Sequence, residues 1–221
     1  MKKLSLGFIV FFLITSCVTT VPLSTDFYGK TKVGILIQMD EKPQVVKATT
    51  NGLVTTITDP DNKFYVGLEK IKSNIAFKDL LVKEISNTLS SKNKSFEMIS
   101  DNFNEQTLSK FNAPESDTEY SKYDYRFMKK KYNVDEILFV KVNHYGLLLV
   151  YSGVIRATKK GYVLMHSQVI DLKDNSLLQQ KQAETTTSIK GDWDKNGEYT
   201  NLQNAIQLAI DQSILKLKKR L

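Results

Sequence analysis

The chain has 221 residues, with 31 basic and 24 acidic side chains, 41% hydrophobic residues and a single cysteine. That apolar content belongs to a folded chain rather than a disordered one, and one cysteine excludes an intrachain disulfide. The formal net charge of +7 is scattered along the sequence, which suits the neighbourhood of anionic lipid and is too weak to mark a nucleic-acid binder.

Met1 to Cys17 reads MKKLSLGFIVFFLITSC. Two lysines, an apolar run from Leu4 to Ile14, and the small residues Thr15-Ser16 follow the order of a secretory signal. The run is too short to span a bilayer, which takes ~20 residues. Ile14-Thr15-Ser16-Cys17 resembles the lipobox of bacterial lipoproteins. The resemblance implies a signal peptide at 1–16, cleavage before Cys17, a diacylated Cys17 thiol and an acylated new amino terminus. Val18 stands where an aspartate would retain such a protein at the inner membrane, so the same resemblance implies the periplasmic face of the outer membrane in a Gram-negative host. The plain alternative for Cys17 is a small buried hydrophobe, an odd role at the mouth of a signal. Residues 17–221 keep 29 basic and 24 acidic side chains, a net of +5, and are enough for one domain with a substantial core.

Val18 to Lys32 lacks periodicity and carries Thr, Ser and Pro. It reads as a flexible lead, so 17–32 is expected to be a lipidated tether and 33–221 a single domain. Val33 to Met39 (VGILIQM) is the near-continuous apolar pattern of a strand buried on both faces. QVVKAT and LVTTIT flank Thr50-Asn51-Gly52, a hairpin signal, and Asp59-Pro60-Asp61-Asn62 makes a turn. From Asn74 to Ser91 the period becomes helical: Phe77, Leu81, Ile85 and Leu89 form one stripe, with Asn74 placed to cap it. Ser95 to Ser100 reads as a strand and Asp101 to Asp117 as a surface loop.

Tyr120 to Tyr132 predicts a helix with Tyr120, Tyr123, Phe127 and Met128 along one side; its Lys129-Lys130-Lys131 run reads as a solvated helix end. Residues 137–142 (ILFVKV) form another buried strand. A meander follows: a strand to Thr158, a turn at Lys159-Lys160-Gly161, a strand to Leu172, a turn at Lys173-Asp174-Asn175 and a strand to Ile189. Thr200 to Leu221 is the clearest helix, with Leu202, Ile206, Ile210 and Ile214 in one row and Thr200 with Gln203 as a capping box.

This order predicts an α/β domain: a single mixed sheet, with early parallel strands plus an antiparallel meander, and about three packed helices. A helix, then YNVDEILFVKV, then a meander and closing helix resembles the amino-terminal domain of the Tol-Pal translocation protein and the periplasmic domain of the curli-secretion lipoprotein family. The likeness covers roughly residues 33–220 and is one of scaffold, so no functional residue carries over.

No G-x-S-x-G, H-E-x-x-H, Walker loop or G-x-G-x-x-G is present. His144 and His166 fall on predicted strands without a third ligand spaced for a metal. Asp192-Trp193-Asp194-Lys195-Asn196-Gly197 fits the opening of a calcium loop, but position 12 is Gln203 rather than glutamate. A strand-to-helix turn explains the same residues. No catalytic residue, metal ligand or cofactor is therefore assigned. The function expected is a membrane-anchored envelope lipoprotein, held by Cys17, that binds or scaffolds an envelope protein partner without catalysis. The competing reading is a secreted hydrolase or small-ligand-binding lipoprotein. Partner contact is expected at the β-rich edges Gln44 to Thr58 and Glu184 to Ile189, with proline at Thr56 or Thr187 as the probe.

Overall fold

Two long strands set the frame. The computed structural model describes residues 20–29, 31–49, 54–57, 63–101, 103–152 and 155–221. Cys17, the Thr50-Asn51-Gly52 turn and the Asp59–Asn62 turn lie outside them. β5 (Glu136–Ser152) and β6 (Ile155–Asp171) pair antiparallel along their whole lengths, and β7 (Leu177–Ser188) follows on the far side of β6. β1 (Lys32–Met39) and β2 (Gln44–Thr49) both run parallel to β5, one after the other on the same edge of it. Together they act as one long strand with a jog at residues 40–43. β4 (Ser95–Ile99) pairs parallel with β1, and β3 (Val54–Ile57) pairs antiparallel with β2. Among the described residues this makes one mixed seven-stranded sheet, the α/β architecture expected.

The meander turns earlier than its residues imply. Lys159, Lys160 and Gly161 lie inside β6, opposite Leu149, Leu148 and Leu147, and the chain reverses between the paired Ser152 and Ile155. Gly161 is a packing glycine, since a Cβ there would overlap the Ala205 carbonyl of the closing helix. Gly146 has a positive φ of 133° where β5 passes from β1 to β2, and a side chain there would strike the Gln44 backbone. Glycine alone accepts both demands.

α1 (Lys63–Ile71), α2 (Phe77–Ser91) and α4 (Thr200–Lys218) cover one face of the sheet. α1 has no counterpart in the sequence reading; it buries Phe64, Leu68 and Ile71 at helical spacing. α2 buries Phe77, Leu81, Ile85 and Leu89 as expected. Its N-cap is Ala76 with no side-chain bond, because Asn74 is drawn away to donate to Gln203 Oε1 (3.1 Å). That contact also removes Gln203 from the expected capping box. The N-cap of α4 is Tyr199, held left-handed with its ring against Trp193. Leu202, Ile206, Ile210, Ile214 and Leu217 are buried along α4, each contributing ~1.5–3 kcal/mol.

On the other face the expected helix at 120–132 shrinks to α3 (Phe127–Tyr132). Tyr120 and Tyr123 bridge to Ser176 and Lys110 instead. The buried Asn175 side chain explains this: it accepts from the Tyr125 N–H and donates to the Ser121 and Tyr123 carbonyls. Three bonds to the backbone hold 121–125 out of a helix. Tyr125 and Met128 are buried, whereas Phe127 is exposed.

Candidate functional site

The stretch expected as a loose tether is fastened to the domain from Val21 onward. Val21 and Gln180 exchange both backbone hydrogen bonds at 3.0 Å, and the Ser24 N–H donates to the Leu178 carbonyl at 2.9 Å. A short 3-10 turn, Thr25–Tyr28, then sinks Phe27 completely into the main core. The physical reason is apolar burial: Phe27 sinks into the main core with Leu23 and Tyr28 packed beside it, Val21 packs against a second apolar cluster, and together they outweigh the entropy of a free lead.

Beneath Phe27 lies a buried cation. Lys94, 3% exposed, donates to the Phe27 carbonyl, to Thr31 Oγ1 (2.7 Å) and to Glu136 Oε2 (2.6 Å), and stands 4.4 Å from the Phe27 ring centroid. The Thr31 hydroxyl also donates to Glu136 Oε1 at 2.9 Å. All three ammonium protons are thus used, and both carboxylate oxygens are engaged. Burial pushes the Glu136 carboxyl above its ordinary pKa, against the opposing pull of Lys94. The clamp joins the N-terminal segment, the start of β4 and the start of β5 at one end of the sheet.

Next to this attachment runs the outer edge of β7. Gln180 uses both its N–H and its carbonyl on Val21, and Leu178 its carbonyl on Ser24, so even-numbered residues point their backbone groups away from β6. The Glu184 carbonyl obeys the same alternation and accepts from Lys216 Nζ at 2.8 Å. With period two, the polar backbone groups of Gln182, Glu184, Thr186 and Ser188 face outward. Thr187 does not belong to this set. It lies opposite Gly161 within the ladder, and its hydroxyl donates to the Ala205 carbonyl. Proline at Thr187 would break the sheet itself, so Thr186 is the position that probes the edge. On the opposite side of the sheet the exposed Thr55 and Thr56 sit on edge strand β3.

The two histidines are not brought together. A bulge at Asn143 puts His144 opposite Leu164, while His166 lies opposite Lys141. His166 belongs to a polar row across the sheet, Gln38–Lys141–His166–Gln182. Lys141 pairs there with Glu105 (3.0 Å), which also accepts from Tyr125 Oη (2.9 Å). Burial holds the His166 imidazole below its usual pKa, with Glu105 and Lys141 acting in opposite directions. His144 donates from Nδ1 to Gln44 Oε1 (2.8 Å), and Gln44 in turn donates to Asp40. This chain of bonds borders a cleft of about 430 Å³ at the jog, lined by Asp40 to Gln44, Thr56 and Tyr65. The interposed amide fixes the imidazole orientation but carries no proton between acid and base.

Asp192 to Gly197 is built as a strand-to-helix turn. Trp193 is buried against Phe64 and Tyr199 (ring centroids 4.8 and 5.3 Å), the Asp192 carbonyl accepts from Asn201, and Asn196 and Gly197 take positive φ. Gln203 spends its side chain on Asn74 and its N–H on the Tyr199 carbonyl. Among the described residues no group of three or more His, Cys, Asp or Glu stands where it could hold a metal, and no helix is long and apolar enough to cross a membrane.

No family model matches the chain, and no curated protein does. Solved structures similar to it include lipoprotein GNA1162 from Neisseria meningitidis, 9% identical over 84% of this chain and 99% of that one, with a TM-score of 0.36. Protein XCC0632 from Xanthomonas campestris, family model DUF330, is 10% identical over 90% of this chain and 88% of its own, with a TM-score of 0.42. The hypothetical protein CT253 from Chlamydia trachomatis is 12% identical over 86% and 97%, with a TM-score of 0.38.

Proposed function

We propose that this chain is a lipid-anchored envelope lipoprotein whose domain binds other envelope components without catalysis. The observation that carries the reading is the attachment of the N-terminal segment. Only three peptide links separate Cys17 from Thr20, at most ~11 Å of extended chain, and from Val21 the chain is stitched to β7. An acylated Cys17 therefore holds the β7 edge close to the bilayer, in a restricted orientation rather than on a long leash. Two or more acyl chains make such an anchor stable where one is marginal. Confinement to a surface raises effective concentration, so modest contacts suffice for assembly. The edge supplies such a contact, since outward N–H and carbonyl groups are completed by any extended strand.

The test is affinity capture of the intact protein from solubilised envelopes, native against Thr186→Pro, at matched expression. The reading predicts a defined partner set that the proline removes while the melting curve is kept. Turnover of a cell-wall, lipid or ester substrate by the purified protein would contradict it. That result would favour the ligand-binding or hydrolase reading, for which the cleft lined by Asp40 to Gln44, Thr56 and Tyr65 is the place to look.

A further inference from the structure

We propose that two clefts meeting at the Asp124–Arg126 pair bind a linear, uncharged saccharide chain. The clefts, of about 520 and 650 Å³, lie beside α3 and share that pair as a common wall. Phe111 and Tyr120 line the first, Leu108 and Phe127 the second. This surface is separate from the outward groups of β7 at 182–188. The proposal therefore adds a ligand to the reading above and does not depend on the edge contact.

The shared wall is built rigid. The buried Asn175 amide fixes the backbone of 121–125. The Phe111 N–H donates to the Lys122 carbonyl (2.9 Å) and the Asp124 N–H to the Ser109 carbonyl (3.0 Å), tying 109–111 to 122–124. A surface ordered beforehand loses less entropy when a ligand binds. Arg126 donates to Asp124 from its backbone N–H (3.1 Å), from Nε (2.9 Å) and from Nη2 (2.7 Å). With side chains 49% and 30% exposed, such a pair adds little stability. The guanidinium holds the Asp124 carboxyl below its ordinary pKa, so the pair stays ionised and neutral as a unit.

The chemistry of the walls selects the ligand. Asp124 already neutralises Arg126, so the fork that would grip a carboxylate or phosphate is taken. The pair instead presents a donor and an acceptor side by side: the Nη1 amino group, which no described residue engages, and the remaining lone pairs of the carboxylate. Neighbouring hydroxyls on a sugar ring, each both donor and acceptor, match that arrangement. Lys110, Lys173 and Asp174 leave the first cleft near neutral. Apolar rings flank the pair on both sides. Phe111 is held between the Arg126 guanidinium, 5.1 Å from its ring centroid, and Tyr120, 5.6 Å between centroids. Tyr120 thus offers its ring to one cleft, and Phe127, 48% exposed beside the buried Met128, offers its own to the other. The C–H face of a pyranose covers such a ring by apolar contact. A ring on each side of a polar pair suits a chain of repeating sugars. An extended peptide would need free backbone groups, and here Lys110 bridges to Tyr123 and Tyr120 to Ser176.

Isothermal titration calorimetry of the full-length chain, in a detergent without a sugar headgroup, tests the proposal with cellotetraose and chitotetraose as probes. At least one should give saturable heat. Phe127→Ala and Arg126→Lys should each weaken that binding by about tenfold with unchanged melting curves, because both side chains stand at the surface. Leu215→Ser, on the exposed face of α4, should leave it unchanged. Thr186→Pro should also leave it unchanged, which separates this site from the β7 edge. No saturable heat from either saccharide overturns the proposal. So does binding that neither cleft variant weakens. Heat obtained only from tetragalacturonate, or only from tetra-alanine, also overturns it and assigns the clefts to an acidic saccharide or to a peptide.

Discussion

Removing the ammonium of Lys94 is the sharpest probe of how the N-terminal segment is held. Lys94→Met keeps the stem volume but leaves Glu136 with only the Thr31 hydroxyl and the Phe27 carbonyl without its donor. Breaking a buried pair from one side costs about 3–5 kcal/mol. Glu136→Gln keeps an acceptor for the ammonium but removes its buried counter-charge, so it too should cost about 3–5 kcal/mol. Combining Lys94→Met with Glu136→Leu replaces both charges with apolar groups, and such replacements are often near neutral. The double variant should therefore be more stable than Lys94→Met alone. Urea denaturation at 25 °C reads these differences from the midpoint at constant slope. Proteolysis before Val21 and Phe27 reads whether the segment is released. A Lys94→Met cost below about 1 kcal/mol, or a double variant no more stable than Lys94→Met alone, would refute the clamp.

Other expectations follow from the same packing. Ile210→Asp places an unpaired charge in the buried row of α4 and should cost several kcal/mol against a total of ~5–15; a normal melting curve would show that the row is not buried. Gly161→Val pushes a side chain into the Ala205 carbonyl and should lower the midpoint by the equivalent of ~1–3 kcal/mol, whereas a turn glycine would tolerate it better. His166, with its pKa held below 6.5 by burial, is more readily protonated in the unfolded chain. Stability present above pH 6.5 should then be lost as pH falls through that region, and His166→Gln should flatten this part of the pH–stability curve.

Legibility in the sequence varied with the range of the interaction that decides each element. β1, α2 and α4 were readable because their own apolar spacing fixes which face is buried. α1 carried the same signal in Phe64, Leu68 and Ile71, but Gly67 weakens it; the structure shows why it is there, since Tyr199 and Trp193 leave no room for a Cβ. Lys159-Lys160-Gly161 has the composition of a turn, and only the position of α4 reveals that the glycine serves packing. The helix expected from Tyr120 fails through Asn175, fifty residues from Tyr125. Val21, Leu23, Phe27 and Tyr28 were the signals that the lead is not loose, and their irregular spacing has no periodicity to announce it. The outward alternation along β7 and the bonds of Lys216 to Glu184 and Thr185 are products of tertiary placement and had no local signature.

The account stands on the anchor at Cys17. The direct measurement is metabolic labelling with radioactive palmitate of the native chain and of Cys17→Ala, followed by separation of membrane and soluble fractions. The lipoprotein reading predicts label and membrane partition for the native chain. For Cys17→Ala it predicts no label, with the protein either retaining its signal or released to the periplasm. Unchanged labelling and unchanged membrane partition in Cys17→Ala would contradict it.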